Sequence, residues 1–120
     1  MEKRIIDKPW GHEIIFAHTD RYVGKILHIN KGHKLSRQYH NQKEETFFIK
    51  SGEMTLEVGQ GDEMKTIHMH EGDTFHCPPK TIHRMIAENT DVDIIEVSTP
   101  ELDDVVRLED AYGRTDKSIA

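Results

Sequence analysis

Clusters of turn-forming residues recur along this chain at short intervals and limit what it can fold into. Asn30-Lys31-Gly32, Ser51-Gly52, Gly59-Gln60-Gly61-Asp62, Glu71-Gly72-Asp73 and Asn89-Thr90-Asp91 are all turn chemistry. In each, a glycine or a short polar side chain accommodates a tight backbone reversal. The segments between them predict strands over His12 to Phe16, Arg21 to Ile29, Thr46 to Lys50 and Met54 to Val58. Further strands are predicted over Met64 to His70, Thr74 to Cys77, Ile82 to Glu88 and Asp93 to Ser98. Short strands at this spacing point to an all-β sandwich or barrel rather than to βαβ units. Val23, Leu27 and Ile29 share one parity, with Lys25 as the polar exception. That parity predicts Lys25 inside the barrel or at its mouth. Helical periodicity emerges only in the tail, where Leu102, Val105, Val106 and Glu109 follow Pro100 and Glu101. The tail over residues 100 to 120 is expected to be a short helical or irregular segment.

A chain of 120 residues is expected to form one domain, burying roughly two thirds of its unfolded surface. Cys77 is its single cysteine, which excludes an internal disulfide and fits a reducing compartment. The opening MEKRIIDKPWG holds no apolar run of signal-peptide length. No stretch approaches the roughly 20 apolar residues of a membrane span. A soluble, cytoplasmic protein without a membrane partner is therefore expected. Net charge is −6, from 22 acidic and 16 basic residues. No basic face of the kind a nucleic-acid binder needs is visible. An anionic small substrate would be repelled at long range unless a local cluster of Arg and Lys met it. The nine histidines raise the expectation of a metal site.

The chemistry concentrates in two stretches. In GHKLSRQYHNQKEETFFIKSG, Gly32 to Gly52, Gln38 and His40 are two apart and share a strand face. A returning strand can bring Glu45 beside them. In GDTFHCPPKTIH, Gly72 and Pro78 precede His83. Gln38, His40, Glu45 and His83 together offer two imidazoles, a carboxylate and an amide oxygen. This mixed set suits one divalent ion (Mn, Zn, Fe, Co or Ni) in an open site better than a thiolate-rich structural zinc. Four protein ligands leave one or two positions for substrate or water, a catalytic layout.

These spacings resemble the two cupin motifs. The first, G-x5-H-x-H-x3/4-E-x6-G, is matched over residues 32 to 52, with Gln38 replacing the first histidine. Glu45 rather than Glu44 keeps the spacing to Gly52. The second, G-x5-P-x-G-x2-H-x3-N, is matched over residues 72 to 89 at Gly72, Pro78 and His83, with Lys80 for the glycine and Ala87 for the asparagine. More narrowly, the chain resembles the cupin domain of the mannose-6-phosphate isomerase/mannose-1-phosphate guanylyltransferase family. Pro9-Trp10-Gly11, Tyr22, Lys25, Ser36-x-Gln38-x-His40, His83-Arg84 and the segment from Asp104 to Arg114 carry that likeness over residues 9 to 114. One departure is His40-Asn41-Gln42-Lys43-Glu44-Glu45, where the family has further histidines and an arginine. Lysine does not reproduce a bidentate guanidinium fork.

The resemblance implies a jelly-roll barrel and a stand-alone, metal-dependent aldose–ketose isomerase of a sugar phosphate, paired as a homodimer. In that reading Glu45 is the expected base, within a catalytic set of Glu45, Lys25 and Arg107. Lys25, Arg84 and Arg107 are the expected phosphate contacts. Arg84 follows His83 on a strand and so points to the opposite face, which leaves a surface role open. Arg107, Asp110, Tyr112 and Arg114 equally suit a tether between tail and barrel. Trp10 and Cys77 read as core residues. His68 and His70 read as part of an exposed edge strand. Two other functions fit the same fold: an Fe(II)-dependent cupin oxygenase and a non-catalytic sugar- or metal-binding module.

Overall fold

The computed structural model describes residues 2–114. Among these residues there are twelve strands and no helix. They are β1 (Arg4–Lys8), β2 (Gly11–His18), β3 (Val23–Ile29), β4 (His33–Lys34), β5 (Arg37–Tyr39) and β6 (Glu45–Ser51). There follow β7 (Met54–Gln60), β8 (Glu63–Met69), β9 (Thr74–Cys77), β10 (Ile82–Ala87), β11 (Val92–Ser98) and β12 (Val106–Glu109). Two antiparallel sheets result, one ordered β1-β2-β3-β11-β6-β9, the other β12-β5-β10-β7-β8 with β4 also pairing β10. The long-range pairing of β11 with both β3 and β6 makes the molecule a double-stranded β-helix, or jelly roll.

All eight predicted strands form, four of them extended by one to three residues and the rest within two residues of the expected ends. Four others went unpredicted. The expected helical turns in the tail are not there. Val106–Glu109 instead pairs with the free edge of β5, Val106 opposite Tyr39 and Arg107 opposite Gln38. An unpaired sheet edge offers a row of backbone hydrogen bonds that a marginal helix cannot match. The part of the tail over 115–120 lies outside the described residues.

The barrel interior is divided along its strands. β3 buries Val23 and Lys25 and then Leu27 and Ile29, and β6 buries Glu45 and then Phe47 and Ile49. β10 buries His83 before Met85 and Ala87, while β11 ends on buried Glu96 and Ser98 after Val92 and Ile94. Antiparallel pairing brings the polar ends together. Lys25 lies opposite Glu96, Glu45 opposite Ser98 and Cys77, and His83 opposite Gln38. One end of the barrel is thus an apolar core around Leu27, Ile29, Phe47, Ile49, Leu56 and Ile94. Each such side chain contributes about 1.5–3 kcal/mol on burial. The other end holds a charged cavity. Among the described residues no helix is long and apolar enough to cross a membrane.

Candidate metal centre

His40 follows the last residue of β5, Glu45 opens β6 and His83 sits on β10, so three elements deliver the three groups. The Nε2 atoms of His40 and His83 each stand 3.1 Å from the same Glu45 oxygen, Oε1. One donor atom from each of the three residues lies within 4.8 Å of the other two, and all three residues are buried. The remaining imidazole nitrogens are fixed by backbone. His40 Nδ1–H donates to the Asp104 carbonyl at 2.6 Å, and His83 Nδ1–H donates to the Thr81 carbonyl at 3.0 Å. A carbonyl only accepts, so both Nδ1 atoms carry their protons and both Nε2 atoms are turned into the site. This is the orientation of a metal-bound histidine. The His83 ring is further packed on Phe47, centroids 5.9 Å apart.

The donor set therefore fits a divalent cation held by His40, Glu45 and His83. Gln38 lines the same cavity and is paired in register with His83. Burial would raise the Glu45 carboxyl, but hydrogen bonds from His40 and His83 and the Lys43 charge outweigh it and hold it well below the usual carboxylate range. Burial would lower His83, but the Cys77 sulfur and the Glu45 carboxylate raise it to about 10.

Beyond the triad runs a ladder of alternating charges. Lys43 Nζ is 3.1 Å from Glu45 Oε2 and 3.3 Å from Glu96 Oε2. Lys25 Nζ lies 3.5 Å from Glu96 and 3.7 Å from Glu13, and Lys8 Nζ lies 4.0 Å from Glu13. Burial alone would lower the Lys43 pKa, but Glu96 and Glu45 raise it above the ordinary lysine value. Side-chain exposure grows outward along the ladder, from 5% at Lys43 to 10% at Lys25 and 25% at Lys8. The cavity encloses about 410 Å³, and Arg4, Arg107 and Arg114 also line it.

The structure brings Gln38, His40, Glu45, His83, Lys25 and Arg107 to one cavity. It does not bring Arg84 there. Arg84 is buried on the other side of β10, where Nε donates to the Leu35 carbonyl and the two terminal nitrogens reach Glu109 Oε1 and the Glu109 carbonyl. Its visible work is to fasten β12. The tail is tied again by Tyr112 to His33 Nδ1 at 2.8 Å, while Arg114 pairs with Asp110 within the tail itself. Trp10 and Cys77 are buried in the core, and His68 lies on β8 at the edge of its sheet.

Sequence reasoning missed Lys43, Glu13, Glu96 and Arg4 as cavity residues. Glu96 carried the signal already used for Lys25, a charged residue on the apolar parity of Val92 and Ile94. Lys43 and Arg4 carried no such signal, because one sits in a turn and the other on a strand without alternation.

The molecule is a jelly roll closed at one end, with two histidines and a glutamate converging at the other in an arrangement that fits a metal ion. Residues 25–98 match the Cupin domain family, and the chain belongs to that family. The xanthan biosynthesis protein XanB of Xanthomonas campestris is 32% identical over 116 residues, 93% of this chain and 24% of that protein. The alginate biosynthesis protein AlgA of Pseudomonas aeruginosa is 32% identical over 90% of this chain and 22% of its own length. A mannose-1-phosphate guanylyltransferase of Escherichia coli is 32% identical over 92% of this chain and 23% of its own length. The chain thus spans less than a quarter of the length of these curated relatives. Among solved structures, the capsular polysaccharide assembling protein CapF of Staphylococcus aureus superimposes with a TM-score of 0.79 at 19% identity, over 90% of this chain and 34% of that one. KdgF from Halomonas superimposes with a TM-score of 0.70 at 20% identity, over 83% and 86%. At these identities the structural likeness is one of fold.

Proposed function

We propose that the protein is a metal-dependent isomerase that interconverts the aldose and ketose forms of a phosphorylated sugar, with mannose 6-phosphate as the first substrate to test. The observation that carries this reading is one cavity with a metal-type triad at its base and cations toward its mouth. Arg4, Lys8, Lys25, Lys43, Arg107 and Arg114 line it against Glu13, Glu45, Glu96 and Asp103, six positive side chains to four negative. The sequence relationship to a mannose-1-phosphate guanylyltransferase supports the sugar class.

A divalent ion on Gln38, His40, Glu45 and His83 would supply Lewis acidity to the sugar's carbonyl and hydroxyl oxygens. The protein's own residues divide the remaining work. Arg107, in register with Gln38 and His83, faces the site from β12 and holds the phosphate together with the arginines and lysine nearer the mouth. Glu45, expected from sequence to be the base, has one oxygen on the imidazoles and the other on Lys43, which suits it to ligation. Glu96 is shared by two ammonium groups at 3.3 and 3.5 Å. Glu13 stands 3.7 and 4.0 Å from its cations, beyond hydrogen-bond length, and is the least compensated carboxylate of the three. In this proposal Glu13 moves the proton between the adjacent sugar carbons, and Lys25 holds Glu13 and Glu96 in place.

The test is to load the protein separately with Mn, Zn, Co or Ni and assay interconversion of mannose 6-phosphate and fructose 6-phosphate, with His40→Ala as control. Metal-dependent turnover lost in the control is the expected result. Bound metal without turnover of this or related sugar phosphates refutes the isomerase. Oxygen uptake by the iron form would then identify an oxygenase, and its absence a binding module.

A further inference from the structure

The backbone amides of the loop between the two ligands His40 and Glu45 are held from the tail. Asp104 Oδ1 accepts the backbone N–H of Asn41 at 3.0 Å. Its Oδ2 accepts those of Gln42 at 2.6 Å and Lys43 at 2.9 Å. Three successive amides converging on one carboxylate form a backbone anion nest. Next in line, Glu44 and Thr99 exchange hydrogen bonds, Glu44 N–H to Thr99 Oγ1 at 3.0 Å and Thr99 N–H to the Glu44 carbonyl at 3.0 Å. The carbonyl of the same Asp104 accepts His40 Nδ1–H. Leu102, Asp103, Val105 and Arg107, on either side of it, wall the cavity.

We infer that Asp104 is a positioning residue for the metal centre, coupling the docking of the 99–105 segment beside the cavity to metal affinity. The inference rests on the metal reading of the triad. Through its carbonyl, Asp104 sets the ring orientation and tautomer of His40. Through its carboxylate, it sets the path of the loop that ends on Glu45. An ion that needs both ligands in place binds the state in which the tail is docked. By reciprocity, the ion stabilises the docked tail by the same free energy. Arg84 and Glu109 fasten β12, beyond that segment, and touch nothing between residues 40 and 45. Removing that clasp loosens β12 but leaves every Asp104 contact in place, which separates positioning from tethering.

The experiment is titration of metal-free protein with Co(II), following the visible absorption of the bound ion and competing it with a chelator. Asp104→Ala keeps the carbonyl on His40 but removes the carboxylate from three loop amides, so it is expected to weaken Co(II) binding by about 10-fold, the lower end of what loss of an orienting partner costs. Its Co(II) spectrum should also change, because the ligand geometry has relaxed. Asp104→Asn, which keeps one acceptor oxygen, should fall between wild type and Ala. Glu109→Gln should stay within about threefold of wild type with an unchanged spectrum. Equal weakening by Asp104→Ala and Glu109→Gln, or none by Asp104→Ala, overturns the inference. Should Asp104→Ala fail to fold, hydrogen exchange on the wild type decides. Co(II) is expected to slow the amides of 41–43, which donate to Asp104, and unchanged exchange there overturns the proposal. A wild type that binds no divalent ion refutes the metal reading itself and the inference with it.

Discussion

Lys43→Met replaces a buried ammonium with an apolar side chain of similar length, so it changes charge with little change in volume. Lys43 is 3.1 Å from Glu45 and 3.3 Å from Glu96, and all three side chains are at most 5% exposed. Removing one member of a buried ion pair costs about 3–5 kcal/mol, because a charge is left without its partner. Here neither carboxylate is fully abandoned. Glu96 keeps Lys25 at 3.5 Å, and Glu45 keeps both imidazoles. The lower end of the range, about 3 kcal/mol, is therefore expected in the metal-free protein. For a domain of this size that is a fall in Tm of roughly 10–15 °C.

The same substitution should have the opposite effect on metal binding. The ammonium on Oε2 repels a cation approaching Oε1 of the same carboxylate, and two charges some 4 Å apart interact by about 4 kcal/mol at an effective dielectric of 20. Lys43→Met is expected to bind Zn(II) at least tenfold more tightly than wild type and to regain most of its lost Tm once loaded. Denaturant melts in EDTA, thermal melts with and without Zn(II), and calorimetric titration measure all three quantities. A variant that loses stability and metal affinity together would refute the electrostatic reasoning. It would show that Lys43 serves chiefly to hold Glu45 in the ligand position.

Other substitutions test other parts of the structure. Arg84→Met should cost about 2–3 kcal/mol, because the Leu35 carbonyl loses its buried donor while the exposed Glu109 pair adds little. Metal content and the substrate constant should stay as in wild type, and a raised constant at normal stability would assign Arg84 to substrate. Asp93 is pushed up by partial burial but held below its ordinary value by hydrogen bonds with His28 and Ser51, so its contribution is present above pH 3.8 and is lost as pH falls through the lowered folded-state value. Asp93→Asn should therefore be less stable than wild type at pH 6 in EDTA and equal to it near pH 2, and a gap persisting in acid would contradict this. Gly52 has φ +85° and an added Cβ would lie 2.1 Å from the Asp91 carbonyl oxygen, whereas Gly61 at φ +58° has open space around it. Gly52→Ala should cost more than about 3 kcal/mol and Gly61→Ala about 1 kcal/mol in urea melts.

What sequence could supply was whatever a local pattern encodes. Alternating apolar parity and turn residues located the eight central strands, and motif spacing gathered Gln38, His40, Glu45 and His83 around one cavity. What it could not supply depends on a partner distant in the chain. Leu102, Val105, Val106 and Glu109 have helical spacing, but the free edge of β5 and the nest at 41–43 claim that segment. Arg84 has the sequence context of a surface residue. Only the strand laid across it by the tail makes it buried. Glu13 and Lys8 acquire meaning through Lys25, which lies on a different strand.

The charge of the whole chain, −6, argues against an anionic substrate, and the cavity argues for one. The two are reconciled by distance. At physiological ionic strength charges are screened over about 8 Å, so acidic groups on the far surface of the barrel contribute little inside it. Within the cavity, water is partly excluded and interactions are stronger. There six cationic side chains meet four anionic ones before any metal charge is added. The ladder from Lys8 to Glu45 keeps that excess small, pairing each buried cation with a carboxylate. Replacing such buried pairs with apolar side chains is often neutral or stabilising, so stability alone does not explain their presence. The strands carrying Glu13, Lys25, Glu45 and Glu96 show that apolar packing was available, since each has a buried Ile, Leu or Phe two residues away on the same face. Charged groups occupy the open end of a barrel whose closed end is already a sufficient core, and that placement is what ties the ladder to the chemistry of the site.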